Sequence, residues 1–176
     1  MNNNLLVNNF HLLYNTCIME YKPNTNNNKN LIVWDSKFEI GIPVIDAQHK
    51  MLVNLCNNLY KAVSAAGKEA TLERKETVKG ALRECADYVQ KHFSDEEKLM
   101  QLCNYEDFAN HKAQHYQFTK KVLEKIQDFE NETYASSLEF VKFLYDWILS
   151  HIAYTDTLYV NDLKKYMLEK GQAAQS

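Results

Sequence analysis

The sequence predicts an all-α protein: an antiparallel four-helix bundle with an N-terminal arm and a short C-terminal helix. Three observations predict it. Four long segments carry apolar residues at alternating steps of three and four, the pattern of a helix face packed against neighbours. The links between them are short, which sets consecutive helices antiparallel. Gly (4) and Pro (2) are too scarce in 176 residues for an all-β fold with its many tight turns.

The elements follow in chain order. Residues 1–30 contain eleven Asn, clustered at Asn2 to Asn4, Asn8, Asn9 and Asn26 to Asn28. Asn competes with its own backbone for hydrogen bonds and suits neither helix nor strand interiors. This segment reads as a poorly ordered arm with a short helical piece around Leu5 to Tyr14, and compositional drift or a start at Met19 explains it most simply. The domain then spans 31–170. Its first stretch, LIVWDSKFEIGIPVI, is an extended strap with Pro43 where a helix begins. The first helix, about Ile45 to Ala66, carries Ile45, His49, Leu52, Cys56, Leu59 and Val63 on one face and stops at Gly67. The second, about Thr71 to Cys103, carries Val78, Leu82, Cys85, Val89, His92, Glu96, Leu99 and Cys103. The third, about Phe108 to Phe129, carries His111, His115, Phe118, Val122 and Ile126. The fourth, about Ser137 to Thr155, carries Phe140, Leu144, Trp147, Ile148 and His151. A shorter amphipathic helix, Leu158 to Glu169, ends before Gly171 and leaves 171–176 as a flexible tail.

Composition excludes several functions. Twenty Lys+Arg against 23 Asp+Glu give a net charge of −3, so no basic excess points to nucleic acid or an anionic membrane. No run approaches the ~18 apolar residues of a membrane helix. The start MNNNLLVNNFHLL lacks the positive region of a signal peptide. The four cysteines, Cys17, Cys56, Cys85 and Cys103, form no C-x-x-C pair. Reduced thiols in a cytoplasmic protein are the simplest reading, with the last three as small core residues.

Five of the six histidines lie on the core stripes: His49, His92, His111, His115 and His151. A single His on an apolar face is usually a packed, hydrogen-bonded core residue. Five together would each need a buried partner, and an unpaired buried polar group costs ~1–3 kcal/mol. A metal satisfies all of them at once. His92 and Glu96 are four apart, and so are His111 and His115, which points each pair the same way. Glu96 takes a core position where a carboxylate is rare unless paired or metal-bound. Asp156 follows His151 by five residues, a rotation of about 140° on a regular helix. It shares the face of His151 only if the helix ends or distorts between them.

The pattern H…HFxxE…HxxxH…HxxxxD, formed by His49, His92 to Glu96, His111 to His115 and His151 to Asp156, resembles the hemerythrin family, its bacterial branch most of all. The flanks agree: Trp34, Gly41, I-D-A-Q-H around His49, E-E-K-L-M after His92 and W-I-L-S-H-I around His151. The resemblance spans about Leu31 to Leu168. It implies up-down-up-down topology and a di-iron centre held by His49, His92, Glu96, His111, His115, His151 and Asp156. It assigns His111, His115 and His151 to one iron, and His49 and His92 to the other.

Two octahedral metals have about twelve positions. The five imidazoles, two bridging carboxylates and one oxo or hydroxo bridge fill all but one, on the iron of His49 and His92, where the resemblance implies that dioxygen binds. Leu52, Phe93, Trp147, Ile148 and Ile152 surround the ligands in sequence and would make a dry oxygen pocket. Such a pocket favours reversible binding over catalysis. The paired E-x-x-H motifs of carboxylate-rich di-iron oxidases are missing, and Asp46 reads as a first-turn helix Asp or as a partner to an imidazole. The expectation is a protein, not an enzyme, that stores or delivers dioxygen. The rivals are a sensor of oxygen, nitric oxide or redox state working through a partner, and a di-iron peroxidase or nitric oxide reductase.

Overall fold

A computed structural model describes residues 30–67, 71–131 and 133–173. Among them are five α-helices and no strand: α1 (Pro43–Ala66), α2 (Leu72–Leu102), α3 (Phe108–Gln127), α4 (Tyr134–Ala153) and α5 (Val160–Ala173). The expected arm falls almost wholly outside the described residues.

Local chemistry explains the helix ends. Pro43 opens α1, where its missing N–H costs nothing. Gly67 ends α1 at φ +64°, a left-handed conformation that glycine adopts freely. The Thr71 hydroxyl accepts from the Arg74 N–H to start α2. Thr133 and Ser136 cap α4 reciprocally, each side chain accepting from the other's backbone N–H. Several boundaries differ from the sequence reading by up to four residues: α4, for one, opens at Tyr134 rather than Ser137 and closes at Ala153. The α3 helix stops at Gln127, and Phe129 sits in a short 3-10 turn with its ring still buried. The α5 helix runs through Gly171 to Ala173, because one glycine in a terminal turn costs only about 1 kcal/mol.

Helix α1 packs against α2 and α4, α2 packs against α3, and α5 lies against α2. The strap before α1 holds a single 3-10 turn, Ser36–Phe38, and buries Ile32, Phe38 and Ile40. Buried Asn57 fastens it: its carbonyl accepts from the Ile32 N–H at 2.8 Å and its amide donates to the Ile32 carbonyl at 2.9 Å. Asp46 accepts from the Ile40 N–H at 2.8 Å, so it anchors the strap and is not a partner to an imidazole.

The core has two apolar parts. The larger includes Leu52, Val89, Phe93, Phe118, Ile148 and Ile152. The smaller includes Ile40, Ile45, Met100, Tyr159 and Leu163. Along α1, His49 comes between Ile45 of the small part and Leu52 of the large one. Along α2, His92 and Glu96 come between Val89 and Met100. The histidines and carboxylates therefore form one polar layer sealed between two apolar plugs.

Candidate metal centre

The seven polar side chains His49, His92, Glu96, His111, His115, His151 and Asp156 are all fully buried. Helix α1 supplies His49, α2 supplies His92 and Glu96, α3 supplies His111 and His115, and α4 supplies His151. Asp156 comes from beyond the helix. The α4 helix ends at Ala153, Tyr154 turns the chain at φ −133° and ψ −59°, and a 3-10 turn over Thr155–Thr157 swings Asp156 back toward the core. Its Oδ1 stands 3.0 Å from His151 Nε2. The helix does end between the two residues, as their spacing demands.

The seven side chains divide into two overlapping sets. One holds Glu96, His111, His115, His151 and Asp156; the other holds His49, His92, Glu96 and Asp156. Both carboxylates are shared. Asp156 turns Oδ2 to His49 Nε2 at 3.1 Å and Oδ1 to His151 and His111 at 3.0 and 3.5 Å. Glu96 Oε2 lies 3.3 Å from His115 Nε2, 3.6 Å from His111 Nε2 and 3.8 Å from His92 Nε2.

The three Nε2 atoms of His111, His115 and His151 make a near-equilateral triangle with sides of 3.0, 3.1 and 3.2 Å. Hydrogen bonding cannot satisfy all three sides at once, because each neutral Nε2 is either a donor or an acceptor and three atoms cannot alternate around a triangle. A proton on His115 Nδ1 faces the Glu97 carboxylate at 3.2 Å, so His115 Nε2 carries a lone pair. A metal explains it: one face of an octahedron with about 2.1 Å metal–nitrogen bonds has edges of about 3.0 Å, whereas a tetrahedron has edges of about 3.4 Å.

His92 is oriented the same way through an amide. Asp95 can only accept, so the Gln48 amide nitrogen faces it at 3.0 Å, and the Gln48 carbonyl faces His92 Nδ1 at 3.0 Å. The proton of His92 then sits on Nδ1, and its Nε2 lone pair points inward. Lys91 and Lys98 hold Asp95, and hydrogen bonding from Lys91 lowers its carboxyl to about 2.

Buried atoms left without a hydrogen bond mark the layer: both oxygens of Glu96 and of Asp156, both nitrogens of His49 and His92 Nε2. Burial pulls the His92 imidazole down to about 4, against the attraction of Glu96 and Asp156. Burial pushes Glu96 up, but the imidazoles of His111 and His115 close to its carboxylate hold it well below the usual carboxylate range. Burial and the charge of Glu96 push Asp156 up, and His151 holds it below its ordinary value. Five imidazoles facing two ionised carboxylates, with several of these buried atoms lacking a hydrogen bond, are a donor set for divalent cations.

The five expected pocket residues divide. Leu52, Phe93, Ile148 and Ile152 are buried in the larger apolar part. Trp147 is half-buried, stacks on His151 at 4.1 Å between ring centres and lines a groove of about 590 Å³ between α3 and α4. It stands on the outer side of the three-histidine set. Phe93 stacks on His115 at 3.7 Å. Cys56 and Cys85 are buried free thiols, and burial pushes Cys85 up to about 12, consistent with small core residues.

Sequence reasoning missed Gln48, Glu97 and Tyr159. The first two sit one residue from a ligand candidate and reach a histidine on another helix. Their polarity at the edge of an apolar stripe was the available signal. Tyr159 is fully buried, meets His111 edge-on at 6.1 Å, and its hydroxyl has no hydrogen bond.

The family described as Hemerythrin HHE cation binding domain matches residues 40–163. The chain belongs to the hemerythrin family. A bacteriohemerythrin of Stenotrophomonas maltophilia is 32% identical over 83% of this chain and 90% of its own length. One from Clostridium acetobutylicum is 29% identical over 74% of this chain and 100% of its own. A solved wild-type hemerythrin superposes with a TM-score of 0.65 at 29% identity, covering 76% of this chain and 98% of that one. The hemerythrin bundle and a His/Glu/Asp cluster suited to non-haem iron thus occur together here. Among the described residues no helix is long and apolar enough to cross a membrane.

Proposed function

We propose that this chain is a non-haem di-iron protein that binds dioxygen reversibly, for storage or for delivery to oxygen-using enzymes, and is not itself an enzyme. The observation that carries this reading is the division of the layer into a three-histidine set and a two-histidine set that share Glu96 and Asp156. His111, His115 and His151 would hold one iron, His49 and His92 the other, and the two carboxylates would span both. By the count of about twelve octahedral positions, one position stays free, on the two-histidine side. Two ferrous ions held by these residues would supply the electrons that dioxygen takes up.

The chain's own residues favour release over reaction. Leu52, Phe93, Ile148 and Ile152 carry no proton to give and exclude water from their side of the layer. Tyr159, the buried hydroxyl nearby, belongs to the smaller apolar part and meets the layer on the side of His111 and Glu96. Burial and the charges of Glu96 and Asp156 raise its phenol above the ordinary value, so it keeps its proton. The buried free thiols Cys56 and Cys85 suit a reducing cytoplasm.

Anaerobic reconstitution with ferrous iron tests the reading. Two irons per chain are expected, with near-ultraviolet bands that appear in air and reverse when oxygen is removed. One iron per chain, or bands that never reverse, would overturn it.

A further inference from the structure

We propose that the two halves of the layer fill in order: the three-histidine position takes the first divalent cation, and the two-histidine position takes the second more weakly. This rests on the reading above that the layer holds a metal pair.

The halves differ in how far they are built in advance. In the three-histidine set, the Nε2 triangle of 3.0 to 3.2 Å already has octahedral edges. His115 is fixed by the Glu97 carboxylate behind it, by the Lys112 ammonium that holds Glu97 at 3.0 Å, and by Phe93 stacked on its face within 6° of parallel. Trp147 stacks on His151 within 14° of parallel. His115 is the one ring of the three held at Nδ1 by a side chain among the described residues, and His111 has no partner there. Five side chains converge on this position.

The two-histidine set is looser. Four side chains converge on it. His49 has no partner at Nδ1. The His49 and His92 rings meet edge-on at 5.1 Å, and His92 Nε2 stands 3.8 Å from Glu96. His92 is backed by a neutral amide, and a carboxylate behind an imidazole makes the stronger donor. Charge acts in the same direction. The first cation meets both carboxylates unshared; the second meets them already engaged and is repelled by the first.

Gln48 and Glu97 are therefore positioning residues that act on different steps. Removing such a partner weakens metal binding by about 10–100-fold. Glu97→Gln should weaken the first step, and Gln48→Leu the second alone.

The test equilibrates the full-length chain with increasing manganese(II), up to two equivalents. Manganese suits octahedral oxygen and nitrogen sites and is visible by electron paramagnetic resonance. Calorimetry follows the same titration. Ordered filling predicts the hyperfine-split spectrum of isolated ions at one equivalent, spin-coupled pairs only with the second, and two calorimetric steps that the variants weaken separately. A coupled-pair spectrum at one equivalent, with half the chains empty, would overturn ordered filling and leave the metal-pair reading standing. Weakening of the first step by Gln48→Leu would also overturn it. Failure to bind a second manganese under any condition would overturn the metal-pair reading itself.

Discussion

Acid should destabilise the metal-free chain in a window set by His92. Burial holds this imidazole at about 4 in the fold, against an ordinary 6.5. The unfolded chain takes up a proton as pH falls through 6.5, while the folded chain refuses it until about 4. The unfolded state thus binds more protons between these values, so stability rises with pH across the window and is lost as pH falls. A difference of 6.5 − 4 = 2.5, at about 1.4 kcal/mol per pH unit, gives about 3.5 kcal/mol, of which about 2.5 kcal/mol is lost by pH 4.5. Glu96 and Asp156, held below their ordinary values of 4.5 and 3.8, add losses of the same sign that begin only at the foot of this window. Urea unfolding of chelated protein, followed by circular dichroism between about pH 7.5 and 4.5, measures the loss as a falling midpoint at constant slope. His92→Gln removes the titrating ring and should flatten the curve by about 2–3 kcal/mol. An equal pH dependence in the parent and in His92→Gln would refute the reasoning, because the acid response would then belong to other groups.

Three further outcomes are expected. Stripping iron should lower the melting temperature, since a ligand at about 1,000 times its dissociation constant contributes about 4 kcal/mol to the folded state alone, and coincident melts of both forms would contradict this. Ile148 is buried one turn before His151, so Ile148→Ala should cost about 2–5 kcal/mol and Ile148→Leu under about 1.5, while only the Ala variant, at equal iron loading, loses its oxygenated form faster in stopped flow. Deleting residues 1–30 should leave iron content and oxygen binding unchanged, because their one histidine, His11, lies outside the domain; loss of iron on truncation or in His11→Ala would give the arm a role.

How legible the site was depends on whether a residue acts along its own helix. His92 with Glu96, and His111 with His115, share a face by helical period alone, so sequence placed them together and the fold kept them there. Asp156 was half legible. The period excluded it from the face of His151 on a continuous helix. Only the turn at Tyr154 and the 3-10 segment after it show how it returns, and no spacing rule specifies that turn. Of the two readings of Asp46, the first-turn helix Asp holds and the imidazole partner does not, for a related reason. It lies one turn before His49, yet the strap crosses near it and the Ile40 N–H claims its carboxylate. The real imidazole partners, Gln48 and Glu97, sit one residue off the stripe, where a side chain leans across to a neighbouring helix. Contacts of that kind depend on how helices are placed against one another, which a single helix's periodicity does not encode.

The same distinction explains why the layer withstands its own cost. Glu96 and Asp156 bury four carboxylate oxygens without a hydrogen bond, an arrangement that a bare core would not tolerate. On each side of it the core is apolar: Ile45, Met100 and Tyr159 on one side, Leu52, Phe93, Ile148 and Ile152 on the other. These plugs pack the helices against one another on both sides of the layer. The imidazoles that face the carboxylates are steered from outside, His115 through Glu97 and Lys112, His92 through Gln48 and Asp95. Stability therefore resides in the plugs and orientation in the polar partners at the rim. The layer between them is left free to present lone pairs inward, which a metal needs and a hydrogen-bonded core would have consumed.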